Sequence, residues 1–188
     1  MIPKADSVAL QRIVLDTNVC LDLFMFNDPR WQQLHKALHN GEIEAFTSTR
    51  CRKEFMLVLA YEKMQLTEES QTTILNAFDR VIRQVDVPTS AEGASTVKLP
   101  LCKDKDDQKF LELAYACQAD TLITKDKALL KLAKKTIRSQ LFRIFSPDAW
   151  LASYEPKLNL IKQKRHHLYT NDAVFLSLIV RAKITFCS

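Results

Sequence analysis

The chain has 188 residues, of which 47% are hydrophobic, and this length fits one domain with some sequence left over. Only two glycines occur, Gly41 and Gly93, which excludes a glycine-rich phosphate-binding loop. The formal net charge is +5, but residues 155–188 alone carry six basic and two acidic residues, so the bulk charge of the body does not indicate a nucleic-acid partner.

Apolar runs alternate with amphipathic segments along the first 152 residues. The predicted strands are 12–15, 44–47, 84–87, 120–123 and 141–145, and the predicted helices are 19–26, 30–40, 50–63, 67–82, 106–118, 127–135 and one from 148. Such alternation predicts an α/β fold with a parallel sheet covered by helices on both faces. We predict one domain over residues 1–152, a loop over 89–100, and a basic and apolar C-terminal extension over 153–188.

The five cysteines stand singly along the chain, without a C-x-x-C pair. This spacing argues against a disulfide framework or a structural zinc site and fits a reducing compartment. The N-terminal residues lack the apolar segment of a signal peptide, and no uncharged run approaches the roughly 20 residues of a membrane span. We therefore expect a cytoplasmic protein that does not bind membranes.

Acidic residues follow predicted strands at the edge of the sheet where ligands bind in parallel α/β folds. Asp16 follows the first strand, Asp126 follows the fourth, Asp107 begins a helix, and Glu54 lies one turn into the helix after the second strand. Clustered carboxylates repel one another unless a cation neutralises them, and the usual partner of an all-oxygen set is Mg²⁺ or Mn²⁺. These four acids are therefore candidate metal ligands.

Each of these acids also has an ordinary structural interpretation. Asp16, Asp126 and the pair Asp106–Asp107 stand where a helix begins, and aspartate is a favoured N-cap residue. Glu54, taken alone, is typical of a solvated helix face. The arrangement of all four, rather than any one of them, supports a metal site. Nearby basic residues could contact phosphates, namely Arg50, Arg52, Lys53, Lys125 and Lys127.

Five segments, in order, resemble the PIN-domain family. They are Ile13–Val19, Ser48 with Glu54, Asp104–Ala114, Ala119–Leu130 with its Thr-x-Asp ending, and Phe142–Pro147. The resemblance covers residues 11–152 and is greatest to the branch of toxins from toxin–antitoxin systems. It implies a PIN-like α/β/α sandwich with a central, mostly parallel sheet.

The resemblance also implies a function, a metal-dependent endoribonuclease that cleaves single-stranded RNA with Mg²⁺ or Mn²⁺. It implies a homodimer and a cognate antitoxin protein as partners. The catalytic and metal-binding acids carried over are Asp16, Glu54, Asp107 and Asp126, with possible auxiliary residues Asp104, Asp106, Asn18, Ser48 and Thr124. Two alternatives stay open: a metal-dependent phosphatase or DNA nuclease with the same acids, and an inactive PIN-like module that binds RNA or protein.

Overall fold

The computed structural model describes residues 10–87 and 97–154. The chain divides into two units, Met1–Ser153 and Tyr154–Ser188. The predicted extension lies outside the described residues from position 155, as does most of the predicted loop over 89–100. In the described part of the chain, no helix is both long enough and apolar enough to cross a membrane.

Within residues 10–87 and 97–154, five parallel strands form one sheet at the centre of the fold. Its strands stand in the order β3-β2-β1-β4-β5, and each neighbouring pair is parallel. The strands are β1 Gln11–Leu15, β2 Ile43–Thr47, β3 Ile82–Gln84, β4 Thr121–Ile123 and β5 Arg143–Phe145. The α/β prediction is confirmed. Because β2 and β4 lie on opposite sides of β1, the chain changes direction at β1, and the carboxyl ends of β1 and β4 meet at that switch point.

Helices connect the strands, as parallel pairing requires. They are α1 Thr17–Cys20, α2 Gln32–His39, α3 Thr49–Leu59, α4 Glu68–Val81, α5 Gln108–Ala116, α6 Lys127–Leu130, α7 Ala133–Arg138 and α8 Pro147–Ser153. A π-helical segment, Leu21–Met25, continues α1, and a 3₁₀ turn, Pro29–Trp31, precedes α2.

Several helix ends obey the expected capping chemistry. The side chains of Ser48 and Thr67 accept hydrogen bonds from backbone N–H groups in the first turns of α3 and α4. Gly41 ends α2 with a φ of 66°, a conformation that glycine adopts at no steric cost, as its position in the sequence predicted.

Three predicted elements differ most from the observed ones. The third strand occupies residues 82–84 rather than 84–87, because buried Ile82 pairs with Ala45 directly after the last turn of α4. The helix predicted over 50–63 ends at Leu59 and gives way to a 3₁₀ turn, Glu62–Met64. The helix predicted over 127–135 is two short helices, since the chain turns at residues 131 and 132.

Apolar side chains fill both faces of the sheet. Helix α5 packs against β1 and β4 on one side, where Phe110, Leu111 and Leu122 are buried together. Elsewhere the rings of Phe24, Phe55 and Phe78 form a cluster with centroid separations of 4.8 to 6.4 Å. This aromatic cluster fixes the π-helical segment, α3 and α4 relative to one another, and so positions the elements that carry Asp16 and Glu54.

An aromatic contact helps to anchor helix α8. Trp150 is 1% exposed, and its ring centroid lies 6.2 Å from that of Trp31. Replacing Trp150 with alanine should therefore lower the free energy of unfolding by about 3–5 kcal/mol through cavity formation. Urea denaturation measures this effect. Ile137→Ala, at a position that is 56% exposed, is the control and should change stability by less than about 0.5 kcal/mol; equal effects of the two variants would contradict the assignment of Trp150 to the core.

Candidate active site

Asp16 lies at the carboxyl end of the central strand and is buried. Its Oδ1 accepts a hydrogen bond from the backbone N–H of Val19 at 2.8 Å, which caps α1. Its Oδ2 accepts two more, from the hydroxyl of Thr124 at 2.5 Å and from the N–H of Lys125 at 2.9 Å. Burial raises the pKa of Asp16, and these three hydrogen bonds with the charge of Lys125 oppose that rise.

Thr124 connects Asp16 to Asp126. Its hydroxyl donates to Asp16 and accepts a hydrogen bond from the N–H of Asp126 at 2.9 Å. The Oδ1 atom of Asp126 then accepts from the N–H groups of Ala128 and Leu129 at 2.6 and 2.9 Å, which caps α6. The capping interpretation of both aspartates is therefore correct, and the hydroxyl of Thr124 links the carboxylate of Asp16 to the main chain of Asp126.

Glu54 lies on α3, with its carboxylate partly buried and both oxygens engaged. The hydroxyl of Thr17 donates to Oε1 at 2.6 Å. Oε2 forms an ion pair with the ammonium of Lys109, a buried residue of α5. Glu54 thus ties α3 to the start of α1 and to α5. Thr17 and Lys109 were not identified from the sequence as partners of Glu54. The signal for Thr17 was a hydroxyl next to Asp16, and the signal for Lys109 was a lysine three residues after Asp106.

Asp107 stands at the N-terminus of α5 without a side-chain capping bond. Its pKa is raised from 3.8 to about 6, first by burial, then by the charges of Asp126, Asp104 and Glu54, while Lys109 acts in the opposite direction. These charges act on Asp107 only because the groups lie near it. The negative charges that act on Asp107 therefore come from two other segments, through Asp126 and Glu54, and from its own segment, through Asp104.

The auxiliary residues differ in their placement. Asp104 is exposed and accepts a hydrogen bond from the N–H of Asp106 at 2.9 Å. Asp106 contributes through its carbonyl, which accepts from Lys109 Nζ at 2.6 Å. Asn18 is exposed in the first turn of α1. Ser48 is buried, and its hydroxyl caps α3 by accepting from the N–H of Cys51 at 3.3 Å, so it contacts its own helix.

Three of the basic residues considered for phosphate contact are engaged in ion pairs within the chain. Arg50 pairs with Glu112 at 3.0 Å, and Arg52 pairs with Asp79 at 2.6 Å. The ammonium of Lys125 pairs with the buried carboxylate of Asp22, which also accepts from the indole of Trp31 at 3.4 Å. The other two, Lys53 and Lys127, are exposed on α3 and α6.

The donor chemistry of the acids fits a hard divalent cation, since every candidate ligand is a carboxylate oxygen. The pKa of Asp107 is raised first by burial and then by the charges of nearby carboxylates, and a bound cation would relieve that repulsion. Within residues 10–87 and 97–154, however, no three acidic, histidine or cysteine side chains are grouped closely enough to hold a metal ion as they stand. The positive charge that faces Glu54 is that of Lys109.

A family model described as "PIN domain" matches residues 12–128, which is more than half of the chain. The chain belongs to the PIN-domain family. PIN domains are generally metal-dependent nucleases, and the matched range contains Asp16, Glu54, Asp107 and Asp126. The PIN match thus covers all four candidate acids and ends within α6.

One solved structure similar to this PIN chain is the crystal structure of VapBC2 from Rickettsia felis bound to a DNA fragment from their promoter. The match has 14% sequence identity and a TM-score of 0.47, and covers 72% of this chain and 98% of that chain. No curated protein sequence matches this chain.

Burial and repulsion from nearby carboxylates raise the pKa of Asp107, so we expect its charged side chain to destabilise the protein when no cation is bound. Its folded pKa of about 6 lies above the ordinary value of 3.8, so the stability it gives when protonated is lost as the pH rises through 6. In EDTA at about pH 7, Asp107→Asn should raise the free energy of unfolding by about 1 kcal/mol, after discounting for solvent screening of this partly exposed group.

Thermal denaturation in EDTA at about pH 4 and about pH 7 measures this effect. The gain should be present at the higher pH and shrink at the lower one. Asp106→Asn, at the exposed neighbouring position, is the matched control and should show no such pH-dependent gain. A less stable Asp107→Asn protein at about pH 7 would show that the carboxylate is stabilising as it stands.

Proposed function

We propose that this chain is an Mg²⁺- or Mn²⁺-dependent endoribonuclease that cleaves single-stranded RNA, and that it is the toxin component of a toxin–antitoxin system. One observation carries the proposal. Asp16 lies at the end of the central strand, and the hydroxyl of Thr124 links it by hydrogen bonds to the main chain of Asp126. The charges of Asp126 and Glu54 act on Asp107. The four acids lie at the sheet edge where parallel α/β folds bind ligands.

Asp16, Asp107 and Asp126 would hold the cation, with Glu54 joining them directly or through water. When bound, a divalent ion supplies charge stabilisation at the phosphodiester and a more acidic water. The chain's own contribution is orientation. Three hydrogen bonds fix the Asp16 carboxylate, and the two N–H groups at α6 fix that of Asp126, so neither acid has to be ordered when substrate binds.

Exposed basic and apolar side chains support the proposal that the chain binds RNA and another protein chain. Lys53 and Lys127 are exposed near the acids and can contact RNA phosphates. Met56, Leu57 and Tyr61 of the α3 region are exposed large apolar side chains, which supports contact with another protein, as in a homodimer or a complex with a cognate antitoxin. We place the protein in the cytoplasm, where its four described cysteines, all free and buried, stay reduced.

An inactive PIN-like binding module is the alternative that a specific observation favours. Glu54 is already neutralised by Lys109, and the described residues contain no preformed group of three metal ligands. A module of this kind would bind Mn²⁺ weakly or not at all. A Mn²⁺ titration of the purified protein therefore separates it from the nuclease.

The direct test is cleavage of labelled single-stranded RNA in Mn²⁺ by antitoxin-free protein, with EDTA as a parallel condition. We expect cleavage that needs the metal and falls by more than about a hundredfold in Asp16→Asn, since even the outer partners of metal ligands contribute 10–100-fold. Asp148→Asn is the matched control, because Asp148 lies on α8 with its side chain 82% exposed. Circular dichroism confirms that both variants are folded.

The outcomes identify the correct function. Full activity of Asp16→Asn would overturn the assignment of the acids. Cleavage of single-stranded DNA or of a small phosphate ester in preference to RNA would instead identify a DNA nuclease or a phosphatase with the same carboxylates. Absence of both cleavage and Mn²⁺ binding would identify the binding module.

A further inference from the structure

Lys109 is a buried lysine among acids. It is 8% exposed, whereas lysine is almost never buried unless it is paired. Its ammonium donates to the carbonyl of Asp106 at 2.6 Å, pairs with the carboxylate of Glu54, and lies 5.1 Å from the ring centroid of Phe110. Burying such a charge is costly, so the surrounding negative groups must compensate for it.

The other basic side chains with ion pairs in this region are more exposed and face other partners. Lys125 pairs with Asp22, Arg50 with Glu112 and Arg52 with Asp79. Their side chains are 37%, 59% and 30% exposed, compared with 10% for that of Lys109. Of these four cations, Lys109 is therefore the one that pairs with a candidate metal ligand and is least screened by water.

We propose that Lys109 is a positioning residue whose positive charge balances the acid set, namely the candidate metal-binding residues Asp16, Glu54, Asp107 and Asp126. A divalent cation that binds these acids is repelled by the charge of Lys109, which weakens its binding. This inference rests on the proposed function. Glu54 is held between the hydroxyl of Thr17 and the ammonium of Lys109, and the same ammonium fixes the carbonyl of Asp106 next to Asp107. One lysine thus balances and orients acids from α3 and from the start of α5.

The consequence for cation binding follows from Coulomb's law. A positive charge close to the acid set lowers the affinity of that set for a second, divalent charge. Removing the ammonium while keeping the length and apolar character of the side chain, as in Lys109→Met, should tighten Mn²⁺ binding on the order of tenfold. Lys109→Arg keeps the charge and should bind Mn²⁺ with an affinity close to that of the unmodified protein.

Isothermal titration with Mn²⁺ measures these affinities without reference to catalysis. Lys105→Met is the matched control: Lys105 is an exposed lysine of the same segment, so its replacement removes one charge without touching Glu54 and should leave the affinity nearly unchanged. Thermal denaturation gives an independent readout. In EDTA, Lys109→Met should melt at a lower temperature, and Mn²⁺ should raise its melting temperature more than that of the unmodified protein.

If Lys109→Met does not fold without metal, the double variant Glu54→Gln with Lys109→Met provides the same test. Both members of the pair are then neutral, which avoids an unpaired buried charge. The double variant should bind Mn²⁺ more tightly than Glu54→Gln alone.

Two results would overturn the proposal. The first would leave the proposed metal-dependent function standing, and the second would overturn that function as well. Equal or weaker Mn²⁺ binding by Lys109→Met, with clear binding by the unmodified protein, would leave the cation site in place and reduce Lys109 to a structural clamp. No Mn²⁺ binding by either protein would remove the cation site itself, and with it the metal-dependent function. Binding by Lys109→Met alone would support the proposal in its strongest form.

Discussion

A buried carboxylate must be paired or fully hydrogen-bonded, and this constraint governs the architecture around Asp16. Both of its oxygens accept bonds from main-chain or hydroxyl donors that belong to α1 and to the segment after β4. Those donors can reach Asp16 only because β1 and β4 are adjacent and parallel, with Leu15 paired to Ile123. The sheet order, the first helix cap and the position of Asp126 therefore depend on one another.

Much of the fold could be predicted from the sequence because its signals are local. Short apolar runs identified four of the five strands closely, and Ser48, Thr67 and Gly41 identified helix ends through capping preferences. The third strand lies at Ile82–Gln84 but was predicted at 84–87, because Pro88, next in the sequence, is typical of the end of a strand. No turn residue separates α4 from β3, so the buried position of Ile82 was the feature that mattered, and burial is a tertiary property.

The site was predictable only in part, for a related reason. An acidic residue that follows an apolar strand can be recognised from the local sequence, so the positions of Asp16 and Asp126 at strand ends could be predicted. The ion pair of Glu54 with Lys109 joins two helices far apart in the chain, and neither residue differs locally from a solvated helix residue. The same holds for Arg50 and Arg52, which were considered for phosphate contact but pair with Glu112 and Asp79.

The segment from Thr124 to Asp126 illustrates how such pairing affects recognition. Thr124 bonds to Asp16, Lys125 bonds to Asp16 through its N–H and to Asp22 through its ammonium, and Asp126 caps α6. A connection restrained at every residue has little conformational entropy left to lose on ligand binding. Free energy gained from contacts with a ligand at this edge is therefore available for affinity and for discrimination between ligands, instead of being consumed in ordering the loop.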